Sequence, residues 1–566
     1  REQQQILDQT TDSMFGSEAI PLVVRYLVPL VVLCNIGLFL SGHLNVGGTV
    51  KVDGELFGES IVIDRFFEFS IARSTVDLWN AGGRVMAVLI LLFSGVWPYT
   101  KQLVTLFLWF ASPQTVSVST RGSLLEWLDF LTKWSSVDIF VLIISLVAFR
   151  LTIESPTLEF LPPNFYSLEA FVLPLWGLYA NLIAQILTQL TSHLIIHYHR
   201  KVVSVALEAA GQLREGNEEN GMDQAPEAAE NGGEEAIESN ESDNENGEEN
   251  GVEKERESQR LRGDDSKDIL MNHEFARPHR GEYSSLTIRE LVNPVITVTG
   301  IVICVCIIVG CALPSFSIDI LGLLGVAIEF GQEFRQAVIK QGVFSIVNLL
   351  VNQGQSLGEA THLIGMIFIS VVLIFTVVVA PLVQTTALWW NWMMPMTARA
   401  RGKLEVVVEI LQSWQYVEVY LIAVLVSAWQ LGQVSEFLIN RYCDGLEDTF
   451  STLLYYGILR EDDAQCFRVR AHVEAGTYIL ILSAFALAFL ETFVMRALFQ
   501  YQRDKAAEED VGHQDDCGLD ETTTQMIETM DVDETVEKIT PAPVMFSDLF
   551  RWLLTSEKDL VPVQLH

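Results

Sequence analysis

Residues 121–149 read RGSLLEWLDFLTKWSSVDIFVLIISLVAF, and residues 401–429 read RGKLEVVVEILQSWQYVEVYLIAVLVSAW; the two stretches align without a gap. Arg121-Gly122 meets Arg401-Gly402, Leu124 meets Leu404, Leu131 meets Leu411, Trp134 meets Trp414, Val137 meets Val417, and Asp138 meets Glu418. Each stretch opens as an amphipathic segment and closes as an apolar run, so one pattern is used twice. Upstream landmarks keep the same order: Pro98 pairs with Pro381, and Phe69-Ser70-Ile71 pairs with Phe344-Ser345-Ile346. The spacing from proline to arginine differs by three residues between the copies.

Half of the 566 residues are apolar and mean hydropathy is positive, more than a soluble core needs. A bilayer core of about 30 Å needs roughly 20 apolar residues per helix. Eight segments meet that test, beginning near Pro21, Arg84, Val137, Phe171, Val295, Leu363, Val417 and Ala475. The expected fold is an all-α polytopic membrane protein whose eight transmembrane helices form two parallel four-helix repeats. The segment 49–71, TVKVDGELFGESIVIDRFFEFSI, alternates polar and apolar residues and is rich in β-branched and aromatic types. Small β-containing extracytoplasmic loops follow from it. In two parallel repeats a pseudo-two-fold runs along the membrane normal, and the module interface is the place for a substrate path.

The division is an N-terminal cytosolic segment at 1–19, a first module at 20–203, a linker at 204–289, a second module at 290–503 and a tail at 504–566. The net charge is −36, with about −15 between Leu207 and Glu290 and about −12 between Asp504 and His566. Such segments bury too little apolar surface to fold and are expected to be disordered; their acid repels phosphate, which excludes nucleic acid as a partner. Within the tail, residues 545–554 (MFSDLFRWLL) are amphipathic, suited to a membrane surface, a partner, or packing on the protein's own helices. Arg121, Lys133, Arg200, Lys201, Arg399, Arg401, Lys403, Arg496 and Arg503 cluster at one set of helix ends, which places both termini and the linker in the cytosol. Arg441, Arg460, Arg468 and Arg470, in the last outer loop, run against that rule.

Several residues carry candidate chemistry. Asn181, Gln185, Gln189 and Ser192 form one polar stripe on the fourth span, which in lipid must face protein or water; helix-to-helix hydrogen bonding and a hydrated groove are the two readings. Asp138 and Glu418 open the third and seventh spans, either as helix-terminal charges, with Ser135 completing a capping box, or as contacts to a substrate or the other module. Lys101 follows Pro98, whose kink frees carbonyls; a cation there either meets an anionic headgroup or stretches to the bilayer surface, an ambiguity shared by Arg25 and Arg150. Glu491 sits in the eighth span near its cytosolic end. His193, His197 and His199 read as a headgroup-facing patch. Cys443 and Cys466 share a polar loop and form the candidate disulfide. No catalytic motif stands in a supporting context, so no enzyme and no cofactor are expected.

These features resemble the paraquat-inducible protein A family. The most specific piece is a tryptophan, three residues, an acid, a β-branched residue and an aromatic: Trp134 through Phe140, and again Trp414 through Tyr420. Pro98 with Lys101, and Arg150, also look like family positions, whereas the second copy has Gln384 and Gln430 there. The resemblance implies handling of membrane lipids, with an MCE-like or other lipid-acceptor protein as partner. Family members in bacteria carry Cys-x-x-Cys zinc ribbons; here Cys304-x-Cys306 lies inside an apolar span, so no metal is expected. Two other classes are a membrane organiser recruiting partners through the acidic linker and tail, and an ion-coupled transporter using Asp138, Glu418, Lys101 and Glu491.

Overall fold

The computed structural model describes residues 11–56, 59–80, 82–148, 150–154, 166–222, 268–272, 275–276, 285–286, 292–322, 325, 328–329, 338–439, 452, 454–456 and 468–516. The first series of elements is α1 (Leu22–Leu44), β1 (Gly48–Leu56), β2 (Glu59–Phe69), α2 (Ile71–Asn80), α3 (Arg84–Ile90), α4 (Trp97–Phe110), α5 (Val118–Phe130), α6 (Val137–Ala148), β3 (Leu151–Glu154), β4 (Tyr166–Pro174) and α7 (Trp176–Met222). Two short strands, β5 (Phe275–Ala276) and β6 (Ser285–Leu286), pair before the second series. That series is α8 (Val292–Ala312), β7 (Phe316–Leu321), β8 (Val338–Gln341), α9 (Val343–Ser356), α10 (Ala360–Ile374), α11 (Ala380–Met393), α12 (Ala398–Trp414), α13 (Val417–Ile439), β9 (Arg468–Val473) and α14 (Ala475–Asp516).

The two series share a device at their prolines. A π-helical turn, Leu91–Val96, joins α3 to α4, and a second, Phe375–Val379, joins α10 to α11. Pro98 and Pro381 each stand two residues beyond such a turn. Proline has no N–H to donate and its ring clashes with the carbonyl four residues back, and the wider turn relieves both faults while the helix continues.

Each series also builds a small antiparallel sheet between its helices. The first has strand order β2-β1-β4-β3 and the second β8-β7-β9, so β1 and β7 hold the same inner place. In register, Gly48 faces Pro174 and Phe316 faces Val473. The strands expected in 49–71 are β1 and β2.

Seven described helical runs are long and apolar enough to cross a membrane: Leu22–Leu44, Ala87–Phe110, Val118–Val147, Val292–Ala312, Ala360–Met393, Ala398–Trp429 and Ala475–Lys505. The protein is therefore a multi-pass membrane protein. Helix α7 is not among the seven, because its polar stripe lowers the hydropathy of the segment expected as a fourth span. That segment also does not begin near Phe171: residues 166–174 alternate and pair with β1, and Pro174 ends the strand before the helix starts at Trp176. Helix α7 continues to Met222, past the boundary at 203, and α14 continues to Asp516, past the one at 504.

Helix α1 packs on α7, and α8 on α14. A Cβ on Gly42 would lie 2.9 Å from the Asn181 nitrogen, and one on Gly310 would lie 2.8 Å from Leu480, so both crossings are backbone-close and Asn181 and Leu480 hold matching places. At the centre α6 packs on α13, where the Phe140 ring lies 6.2 Å from Tyr420, the residue at its own position in the other copy. At the helix ends that carry this basic residue, Arg401 donates to the Asp268 carbonyl (2.8 Å) and to Asn391, and Asp268 makes a β-bridge with Met396. The Asp268 carboxylate accepts from Tyr501 (3.0 Å) and Lys505 (2.5 Å).

Candidate functional site: a buried polar belt

The π-turn before α4 turns Lys101 and Gln102 inward, where both are buried. Beside them, α5 carries Asp129 in its last turn and tightens after Phe130 into a 3-10 segment, Leu131–Ser136, before α6 begins. Its residues Thr132, Lys133, Ser135 and Ser136 are all buried. Helix α7 crosses this segment with Asn181, Gln185 and Gln189 at intervals of four, one above another on a single face.

The contacts are specific. Asn181 donates to Asp138 Oδ2 (2.8 Å), Gln185 donates to the Ser135 carbonyl (2.8 Å), and Gln189 donates to Asp129 Oδ1 (3.2 Å). The Ser135 hydroxyl donates to Gln185 and to the Thr132 carbonyl, and Lys101 donates to Thr132. Lys101 also faces Asp129. One layer behind, Thr188 accepts from Asn35 and from Gln102, each at 2.8 Å.

Two bonds carry the belt into the second copy. The Lys133 ammonium lies 2.6 Å from Glu418 Oε2 and over the Phe130 ring, and Ser413 donates to Asp129 Oδ2 at 2.6 Å. Glu491 faces Lys133, Glu418 and Gln384. A charge taken out of water costs several kcal/mol unless it is paired and hydrogen-bonded, and here the pairing is across the two copies. At the belt's edge Arg200 bridges Glu126 (3.3 Å) and Glu409 (2.7 Å).

All seven path candidates (Asn181, Gln185, Gln189, Lys101, Asp138, Glu418 and Glu491) thus converge on one belt. Three local expectations are corrected. Ser135 and Asp138 do not form a capping box, because the 3-10 segment feeds α6 without a break and Ser135 is spent on Gln185. Lys101 and Glu491 do not reach the bilayer surface; both are buried. His193 and His199 turn inward rather than to headgroups, His193 Nδ1 lying 3.6 Å from Asp129 Oδ2 and His199 packing by Arg121 and Gly122.

The hub residues Asp129 and Lys133 were not among the sequence candidates. Lys133 was counted only as a cytosolic charge; the signal available was its place directly before Trp134 in the repeated motif. Of the repeat landmarks, Arg121 and Arg401 are both fully buried, Trp134 packs on Phe93 and Trp414 on Phe375. Arg150 lies 3.9 Å from Glu169 on β4, and Arg25 donates to the Ile20 carbonyl. Cys443, Cys466 and residues 545–554 lie outside the described residues. Among the described residues no three His, Cys, Asp or Glu side chains converge to hold a metal ion.

Next to the belt, a slot opens between α6, α7 and α10, with Ser136, Gln185 and Thr376 at one end. Its free volume is about 20 Å³, room for a water and not for a lipid chain.

The description Paraquat-inducible protein A belongs to a family model that matches this chain twice, over residues 67–154 and 358–441. The first match holds Lys101, Asp129, Lys133 and Asp138, and the second holds Gln384, Ser413 and Glu418, whereas α7 and α14 lie beyond both. No curated protein matches the chain, and neither does any solved structure. Two regions of one chain, each carrying the π-turn with its proline and the tryptophan–acid–aromatic motif, are thus similar to the Paraquat-inducible protein A family, consistent with a module of that kind present twice.

Proposed function

We propose that the protein moves phospholipid or another amphiphile between a membrane and an acceptor along the interface of its two modules. The observation that carries this reading is the belt, in which polar side chains of intramembrane helices gather between Asn181 on α7 and Glu418 on α13. Intramembrane polar residues are costly and mark paths for polar groups. In this reading α7 is the fourth of eight spans, the modules are parallel four-helix repeats about a pseudo-two-fold, and both termini and the acidic linker are cytosolic. The acceptor is an MCE-like or other lipid-binding protein. No catalytic step and no cofactor is involved.

The test is transfer of a fluorescent phospholipid from vesicles carrying the purified protein to acceptor vesicles. The triple variant Asn181→Leu, Gln185→Leu, Gln189→Leu is expected to fold and to lose transfer. Unchanged transfer would remove the belt from the path; no transfer by the wild type would favour the membrane organiser.

A second reading, ion coupling, is favoured by the charge count of the belt. Among the described residues, Asp129, Asp138, Glu418 and Glu491 face two ammonium groups, Lys101 and Lys133, and the His193 ring beside Asp129, so protons or monovalent cations would complete neutrality. Transfer that depends on a proton or sodium gradient and fails in Asp138→Asn supports it, and gradient-independent transfer excludes it.

A further inference from the structure

The slot beside the belt is amphipathic along its length. Its walls are Ile139 and Ile143 from α6, Leu182 and Ile186 from α7, and Ile369 and Leu373 from α10. Its polar end holds Gln185, Thr376 and Ser136, and the Ser136 hydroxyl, on a residue 2% exposed, faces Tyr416 without closing a hydrogen bond of good geometry. Apolar walls leading to a polar end with one hydroxyl to spare match the two parts of an amphiphile.

Helix α10 is the single layer between this slot and the exterior. Its inner face supplies Ile369 and Leu373, and its outer face exposes Ile364, Ile367 and Val371. At that depth the surroundings of an exposed isoleucine are hydrocarbon, so the molecules that meet α10 are lipid chains. Both ends of the helix have a place to bend: Gly358, at φ +69°, stands just before it, and the π-turn Phe375–Val379 follows it. Gly365 lets α10 lie directly on the Tyr179 hydroxyl of α7, where a Cβ would overlap it. On the α7 side of the slot this glycine sets how closely α10 approaches, while its other flank packs on α9.

We propose that the slot binds a single hydrocarbon chain of a membrane amphiphile, with α10 as its lateral gate and the Gln185, Ser136 and Thr376 end receiving the polar group at the root of the chain. This rests on the lipid-handling reading and adds to it the site, the wall that moves and the part of the lipid that enters. The chain enters from the bilayer as α10 swings on its two bends, which lifts Gly365 from Tyr179 and widens the space between Leu182 and Ile369. Its polar root then lies beside the belt.

The experiment reconstitutes the whole protein in vesicles of phosphatidylcholine containing a trace of the same lipid with a diazirine in one acyl chain. After irradiation, labelled residues are mapped by mass spectrometry, and phospholipid transfer is measured on the same vesicles. Wild type is expected to be labelled at Ile139, Leu182 or Ile369. Ile143→Trp, which fills the slot, and Ile369→Phe, which narrows it from the opposite wall, are expected to lose that label and keep label on Ile364, Ile367 and Val371. Wild-type label confined to those outer residues overturns the slot; if transfer persists alongside it, the lipid-handling reading stands without the slot. Neither transfer nor inner label in the wild type overturns both.

Discussion

Lys133→Met tests the seam between the two copies most directly. The lysine side chain is 3% exposed and its partner Glu418 is 32% exposed, with the charges 2.6 Å apart and Glu491 close by. Removing one partner of a buried pair costs about 3–5 kcal/mol, because the other charge stays buried without compensation. The partial exposure of Glu418 argues for the lower end, whereas the second stranded carboxylate, Glu491, argues for the upper, so about 4 kcal/mol is the expected loss. Glu418→Gln keeps a hydrogen-bond acceptor for Lys133 and leaves Glu491 facing it, and its loss is expected to be about 1–3 kcal/mol. In Lys133→Met/Glu418→Gln the two losses should not add, and a coupling of about 0.5–3 kcal/mol is expected. The assay is equilibrium unfolding in mixed micelles of increasing SDS content, read by tryptophan fluorescence and by protease resistance. Additivity of the two single losses would refute the argument that the seam is held by this pair.

The remaining predictions concern packing, satisfaction and charge. Gly42→Ala puts a Cβ 2.9 Å from the Asn181 nitrogen and should lower the unfolding midpoint, whereas Gly402→Ala meets nothing within 4 Å and should stabilise α12 by about 0.5–1 kcal/mol in the same titration. Thr188→Val keeps the shape but removes the acceptor shared by Asn35 and Gln102, and should cost about 1–3 kcal/mol. The hydrogen bond from Lys505, with help from Tyr501, holds the Asp268 carboxyl below its usual range. A depressed folded-state value stabilises above the unfolded value and is lost as pH falls through the folded one, so Asp268→Asn should loosen the end of α14 around Lys505 at neutral pH, and the difference should begin to shrink below about pH 4 and vanish only below the lowered folded-state value, as read by hydrogen exchange.

Sequence reading found what repeats and what is apolar. The two prolines, the paired tryptophans and the acids Asp138 and Glu418 are visible because a duplicated chain supplies its own second reading. The π-turn at Pro98 was foreshadowed as a kink, since proline must break a helical hydrogen bond, and Pro381 as its repeat partner, but no residue pattern distinguishes a π-turn from a bend. The start of α7 was misread because 166–174 is an apolar run directly joined to a helix, and β-alternation is blurred when both faces are covered. Lys133 was misread because charges near helix ends are counted for orientation by number alone; only packing reveals that a 3-10 segment has rolled this one inward. Asp129 lies in an amphipathic stretch where an acid is unremarkable, and its part in the belt comes from Gln189 and Ser413, residues far away in sequence.

The meeting of Phe140 with Tyr420 has a wider consequence. Contact between equivalent positions is what two separate, identical modules make with each other across a two-fold axis. On such an axis every side chain confronts its own twin, so a lysine near it brings a second lysine and an acid a second acid. Two copies in one chain are released from that rule. Lys133 has Ser413 as its counterpart and Lys101 has Gln384, so cations gathered on one side can answer Glu418 and Glu491 on the other. A seam that identity would make repetitive becomes complementary, and one half of the molecule is free to specialise in polar chemistry while the other keeps Leu480 and its apolar neighbours.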